Sequence, residues 1–307
     1  MRTVSSIRPE DWITRVTSLN QWKRNGERAP HKPLLLLYAL GHLQRTGSAS
    51  VSFADAEPGL RRLLEEFGPP REPHPEYPFH HLTTDGLWIV RTPQGVGSPG
   101  ARLSALRSGA TGELAPGFAQ DIEADPRLFT GVVQGILDAN FPATLHADIL
   151  DAVGIDLEAG AHAEVLTLGK ERRRRDPVFR ENVLAAYEYR CAVCGFDGQL
   201  LRETVGIDAA HVRWWAAQGP DEVANGLALC SLHHKLLDRG AIGITVDYTV
   251  AVSSHFIGRS PAADAVVLSL VGSPLLDPQI GLPHPDPAHL QWHTSEVFRA
   301  PARAMTA

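Results

Sequence analysis

Cys191-Ala-Val-Cys194 and Cys230-Ser-Leu-His233 are two short knuckles, one CxxC and one CxxH. Together they offer three thiolates and an imidazole, a closed donor set that suits tetrahedral structural zinc. They consume all three cysteines of the chain, and an odd, small number does not make a disulfide framework. A redox CxxC and a set of buried thiols are the competing readings. A bound ion would tie the helix expected before Cys191 to the strand expected at Cys230, making metal binding part of folding. Between and just beyond the knuckles lie Asp208, His211, Asn225, His234 and Asp238. His234 and Asp238 stand at i and i+4, so on a helix they project from one face and can share one divalent ion. Asn225-Gly226 taken alone is an ordinary turn.

Positioning these groups takes two strands and a helix. Residues 204–212 fit a first strand, 227–230 a second, and 232–239 a short helix, with residues 182–190 a helix leading straight into Cys191. In this order and spacing, IDAAHV followed by GPDEVANGLALCSLHHKLLDRGAIGI resembles the HNH (ββα-metal) endonucleases over roughly residues 187–244, close to their modification-dependent McrA-type subgroup. That resemblance implies phosphodiester hydrolysis, with His211 as the general base that takes a proton from the attacking water. An imidazole suits that task at neutral pH. It also implies His234 as a metal ligand, Asp238 as a second, and magnesium or manganese as the ion, distinct from the zinc. Asn225 would orient the loop and hold His211, or bind the metal directly. Many family members carry a ligand immediately before the base, where this chain has Ala210. Either Asp208 reaches the ion or water completes its shell.

A second constellation lies near the N-terminus. Arg28-Ala29-Pro30-His31-Lys32-Pro33 precedes an apolar run, and Tyr77-Pro78-Phe79-His80-His81-Leu82 precedes Asp85-Gly86-Leu87-Trp88. Over roughly residues 12–142 this pattern resembles the sulfur-binding domain of phosphorothioate-dependent restriction enzymes. Members of that family join such a domain to an HNH nuclease, the order seen here. A phosphorothioate keeps the phosphate charge but replaces one oxygen with larger, softer, poorly hydrated sulfur. A reader therefore needs an apolar cup beside cations, for which Ala29, Pro30, Tyr77 and Pro78 offer the cup. Arg28, His31 and Lys32 offer contacts to phosphate and bases, and His80 and His81 further contacts. An apolar pocket discriminates one small group by only about 1–3 kcal/mol. Base contacts must then add to site choice, and Arg102 and Arg107, in a loop rich in serine and glycine, are candidates. The plainer alternative is that Pro30 and Pro33 only start a helix and Tyr77 only closes a loop over the core.

The elements around this pattern are mainly helical. Residues 11–22, 54–67 and 125–140 read as helices, and residues 32–45, apolar nearly throughout, as a buried one. Residues 69–78 read as a proline-rich loop, Asp85-Gly86 as a turn, and 87–90 as a strand. Residues 143–175 read as linker or interdomain packing that ends in the basic run 170–175, either a solvated face or a contact to the DNA backbone. Residues 255–307 carry no motif and are expected to pack on the nuclease or form a dimer contact.

The 307 residues are too many for one average core. The expected class is α+β, with a mainly helical DNA-reading domain at 1–165, linker included, and a ββα-metal domain with a structural zinc at 166–307. No apolar run approaches the ~20 residues of a membrane helix, and the N-terminus has no signal-peptide core. A cytoplasmic protein is expected. The formal net charge of −6 runs against a typical nucleic-acid binder, so DNA contact must rely on local patches. The expected partner is double-stranded DNA carrying phosphorothioates. A double-strand cut needs two active sites or two events, which a homodimer would supply. The alternatives are an HNH nuclease directed to another modification, such as a methylated base, and a zinc-containing DNA-binding protein without catalysis.

Overall fold

The computed structural model describes residues 9–20, 29–157, 177–201 and 203–304. The chain divides into two compact units, 1–172 and 173–307.

The first unit is built around α2 (His31–Thr46), whose Leu34, Leu35, Leu36, Leu37, Leu40 and Leu43 are all buried. A helix apolar on every side has no solvent face and must be enclosed. It is wrapped by α3 (Phe53–Phe67), α4 (Glu76–His81), α7 (Pro126–Asn140) and α8 (Ala143–Val153), while α1 (Pro9–Thr17) and α6 (Pro116–Ala124) pack on α7. Ser52 starts α3 by accepting a hydrogen bond from the Asp55 backbone N–H, and Gly47, in the left-handed conformation, ends α2. A small antiparallel sheet orders β1 (Ser50–Ser52), β4 (Thr111–Leu114), β2 (Trp88–Thr92) and β3 (Gly95–Val96) side by side. The short helix α5 (Leu103–Arg107) precedes β4.

Three expectations change. The expected proline-rich loop is shorter, because Tyr77 and Pro78 already belong to α4; its Pro75 has φ −61°, a value proline favours and a helix start accepts. Residues 143–153 are not linker. They form α8, which buries Leu145, Ile149 and Val153. A Cβ on Gly41 would lie 2.1 Å from the Val153 carbonyl oxygen, so a glycine in α2 is what lets α8 come this close. The first expected helix stops early, at Thr17; Trp22 and the basic run at 170–175 lie outside the described residues.

The second unit opens with α9 (Pro177–Ala186). It ends earlier than the spacing suggested. Glu188 (φ 51°) and Tyr189 (φ 58°) turn left-handed and swing the chain so that Cys191 follows a reversal instead of a continuing helix. A tiny hairpin, β5 (Gln199–Leu200) and β6 (Glu203–Thr204), splits off residues expected in the long first strand. The strand itself is β7 (Ile207–His211), paired antiparallel with β8 (Gly226–Cys230) and followed directly by α10 (Ser231–Asp238). That is a ββα unit. β9 (Ile242–Ile244) and β10 (Val250–Val252) form a second hairpin, and α11 (Pro261–Val266) and α12 (Pro287–Glu296) complete the unit.

The segment without a motif packs on the core of the second unit. The N–H groups of Leu276, Gln279 and Asp286 donate to the carbonyls of Ala192, Ala186 and Ala224 at 2.8, 2.7 and 2.7 Å. His293, 1% exposed, is 3.0 Å through Nε2 from the Leu237 carbonyl at the end of α10. Among the described residues, no helix is long and apolar enough to cross a membrane.

Lys32 is an internal group. Its Nζ donates to Asp85 Oδ2 at 2.6 Å and to the Asn20 carbonyl at 2.7 Å, and the two charged side chains are only 10% and 8% exposed. Asp85 Oδ1 in turn accepts from the Asn20 N–H. This ion pair ties the start of α2 to the turn before β2. Lys32→Ala would strand a buried carboxylate, at a cost of about 3–5 kcal/mol. The expected outcome is a lower denaturation midpoint, measured by urea titration. An unchanged midpoint with weaker DNA binding would instead make Lys32 a phosphate contact.

Candidate nuclease and sulfur sites

In the second unit, the four zinc candidates converge. Donor atoms of Cys191, Cys194, Cys230 and His233 all lie within 4.8 Å of one another, the one such cluster of metal-binding side chains among the described residues. Cys191 is placed by a tight turn in which Gly195 (φ 74°) donates to the Cys191 carbonyl, while the Ala192 N–H rests on the Ala228 carbonyl of β8. Cys230 ends β8, and His233 lies one turn into α10.

The donor chemistry fits an ion. His233 Nδ1 sits 3.5 Å from Cys191 Sγ and 3.2 Å from Cys230 Sγ, and its Nε2 is 2.8 Å from the Val266 carbonyl of α11. A carbonyl can only accept, so Nε2 carries the proton and Nδ1 presents its lone pair to the sulfurs, the arrangement of a metal-bound histidine whose other nitrogen donates to a carbonyl. Three thiols in so small a space compete for protons. Hydrogen bonding from Cys230 lowers the Cys191 thiol, while the same bond, with burial, pushes Cys230 up to about 11. A divalent cation would relieve that conflict by holding all three as thiolates.

At the far end of the same ladder sits His211, opposite Gly226. Its ring stacks on Phe179 of α9, with centroids 4.0 Å apart and planes 18° from parallel. His211 Nε2 lies 2.8 Å from Asp221 Oδ1. Asn225 is fully buried, and its amide is committed to the backbone: Oδ1 accepts from Arg213 N–H at 2.8 Å, and Nδ2 donates to the Arg213 and Pro220 carbonyls at 3.0 Å each. Of the two roles open to Asn225, this geometry serves the loop. On α10, His234 Nε2 and Asp238 Oδ2 are 3.3 Å apart, on one helix face, with Asp238 buried.

Asp208 does not join them. It is exposed on β7 and bound to Arg180 Nε at 3.2 Å, and strand alternation turns it to the face opposite His211. Sequence reasoning overlooked Asp221 and Phe179. The acidic pair Asp221-Glu222 was visible ahead of Asn225, but its spacing does not say which member turns inward.

In the first unit, α4 packs against α2 and brings the two halves of the sulfur-site pattern together. Pro30 and Pro78 are buried, Ala29 and His31 partly buried, and Tyr77 is 45% exposed. Tyr77 stacks on His74 at 4.6 Å and meets His81 edge-on; His80 Nδ1 is 2.7 Å from Ser98 Oγ. Desolvation, then the charges of His80 and Lys32, hold the His81 imidazole below its ordinary value, so it is neutral at neutral pH.

Two expected contacts fall away. Phe79, fully buried, packs against Phe53 at 4.9 Å and Trp88 at 5.3 Å, so it belongs to the core. Lys32 is held by Asp85 as described. Arg28 lies outside the described residues. Arg102 is exposed at the start of α5, whereas Arg107 is engaged with Glu57 through bonds of 2.8 and 2.6 Å.

Comparison with known proteins agrees with the two-domain reading. Residues 9–158 match the ScoMcrA-like DNA sulfur-binding domain family, and residues 191–245 match the HNH endonuclease family. Among solved structures, one similar chain is the sulfur binding domain of SprMcrA complexed with phosphorothioated DNA (26% identity, 50% of this chain and 98% of that one, TM-score 0.43). Another is the sulfur binding domain of ScoMcrA complexed with phosphorothioated DNA (23% identity, 48% and 96%, TM-score 0.40). A third is the modification dependent TagI restriction endonuclease (23% identity, 47% and 41%, TM-score 0.29). No curated protein matches the chain. The chain carries a DNA sulfur-binding domain followed by an HNH endonuclease domain.

The cluster geometry sets an expectation for metal content. The purified chain should hold one zinc ion that survives dialysis against a mild chelator, read by elemental analysis. Cys230→Ser should lose the ion and the cooperative unfolding of the nuclease unit. A fully folded protein without metal would overturn the assignment.

Proposed function

We propose that this protein is a modification-dependent restriction endonuclease that binds phosphorothioated double-stranded DNA and hydrolyses nearby phosphodiester bonds. The observation that carries the reading is the union, on one chain, of the sulfur-binding family match and an HNH match whose His211 and His234 sit on a ββα unit. The half-exposed Tyr77, stacked on His74 and meeting His81 edge-on, provides an apolar surface that sulfur, poorly hydrated, prefers to water. Neutral His81 leaves the site free of a second strongly hydrated charge. The enzyme acts on DNA in the cytoplasm, and a homodimer would supply the second active site of a double-strand cut.

Chemically, His211 takes a proton from the attacking water. The hydroxide oxygen forms the new bond to phosphorus while the P–O3′ bond breaks, and the 3′ oxygen takes its proton from solvent. Phe179 fixes the plane of the base, and Asn225 fixes the loop beside it. His234, oriented by Asp238, is the residue that would hold a divalent ion, magnesium or manganese. When bound, such an ion supplies charge stabilisation at the scissile phosphate and the leaving oxygen. The structural zinc holds the ββα unit together and takes no part in the reaction.

Matched plasmids with and without phosphorothioates test the whole reading. Cleavage of the modified plasmid alone, in magnesium or manganese, is expected, and equal cleavage of both would defeat the sulfur dependence. His211→Ala should slow cleavage by ~10²–10⁴-fold while leaving DNA binding intact, because a general base acts on water. Near-normal cutting by that variant would remove the base assignment. Tyr77→Ala should erase the preference for modified duplex more than general affinity. Competition binding at one fixed salt concentration separates the two, since phosphate contacts vary with salt.

A further inference from the structure

Asp221 is a carboxylate that the HNH motif does not assign, yet it lies closest to the general base. Its Oδ1 is 2.8 Å from His211 Nε2, and the two side chains are only 15% and 13% exposed. The connection that carries it is held by backbone bonding. Gly219 N–H donates to the Trp214 carbonyl, and a Cβ on Gly219 would lie 1.8 Å from the Arg213 carbonyl oxygen. Asn225 then fastens Pro220, the residue before Asp221, through its buried amide. Glu222, the neighbouring acid, is exposed. The chain thus turns one specific carboxylate onto the histidine and fixes it there.

We propose that Asp221 is the positioning residue of His211, an inference that rests on the reading of His211 as the base. A carboxylate can only accept, so it places the imidazole proton on Nε2 and leaves the Nδ1 lone pair to receive the proton of water. When that proton arrives, the ring becomes an imidazolium and Asp221 supplies its counter-charge. Phe179 stacks on the ring face and prevents rotation about the Nε2 contact, so two neighbours set the direction in which Nδ1 points. In a largely buried pair this attraction is stronger than it would be in water. Among the described residues, Arg180 of α9 is engaged with Asp208, and Arg213 through Nε with the Ala217 carbonyl, while α10, which also packs on β7, carries His234, Lys235 and Asp238.

The test compares full-length wild type with Asp221→Asn and His211→Ala. On phosphorothioated plasmid in magnesium or manganese, Asp221→Asn should cleave ~10²–10⁴-fold more slowly, with zinc content and DNA binding retained. The acidic limb of its pH–rate profile should move to lower pH, because loss of the carboxylate makes the imidazole easier to deprotonate. An independent measurement needs no activity. In wild-type protein labelled with nitrogen-15 histidine, the His211 signal, identified by its absence in His211→Ala, should show a bare Nδ1 and a protonated Nε2 above its titration midpoint. A protonated Nδ1 there, or an Asp221→Asn rate and pH profile matching wild type, would overturn the proposal. If His211→Ala itself cuts normally, the base reading fails. If His211→Ala is inactive and Asp221→Asn is not, only the role of Asp221 fails.

Discussion

The register of the β7–β8 ladder governs the nuclease unit. It puts Cys230 opposite Ile207 at one end and Gly226 opposite His211 at the other. Side chains alternate across a strand, so a slip of one residue would turn His211 away from its partners and break the alignment of Cys230 with the first knuckle. Both ends are fastened independently. The cysteine–histidine cluster fixes one, and the buried Asn225 amide, with three backbone bonds, fixes the other. Gly226 is needed as well, since a Cβ there would lie 2.3 Å from Val183 of α9. Helix α10 leaves β8 with no intervening loop, so the placement of His233, His234 and Asp238 follows directly from the same register.

The C-terminal segment completes this arrangement. The Val266 carbonyl accepts a hydrogen bond from His233 Nε2 and so decides which nitrogen faces the thiols. His293 holds the last turn of α10, and the Asp286 N–H bonds to the Ala224 carbonyl beside Asn225. Residues without a recognisable motif therefore set the tautomer of one site residue and brace the backbone of two others. Apart from the His293 ring, their contribution is made through backbone carbonyls and N–H groups, which any side chain could accompany. That is why no residue pattern marks them.

In the reader unit, electrostatics are divided between structure and surface. Lys32, expected to contact phosphate or bases, is paired with Asp85, and Arg107, expected to contact bases, with Glu57. Among the described residues, the sulfur pattern presents an aromatic and imidazole surface, with His74, Tyr77, His81 and His80 in contact in that order. A surface of that kind suits a soft, weakly hydrated group better than a bare phosphate.

The sequence alone determined the order of the two functional patterns, the four zinc candidates, the ββα unit and the enclosed helix α2. These are local properties: ligand spacing within a knuckle, an i, i+4 pair, an apolar run too uniform for a surface. Tertiary structure decided the roles of individual residues. Lys32 and Phe79 look like site residues in the chain but face inward, because their partners Asp85, Phe53 and Trp88 lie on other elements. Asp208 and Asp221 are equally plain aspartates in sequence. One is drawn to Arg180 on the outer face of a strand, and the other is turned onto His211 by a glycine and a buried amide. A carboxylate acquires its function from the charge and hydrogen-bond donors that the fold brings within about 3 Å, and that distance is set by chain reversals that spacing along the sequence does not encode.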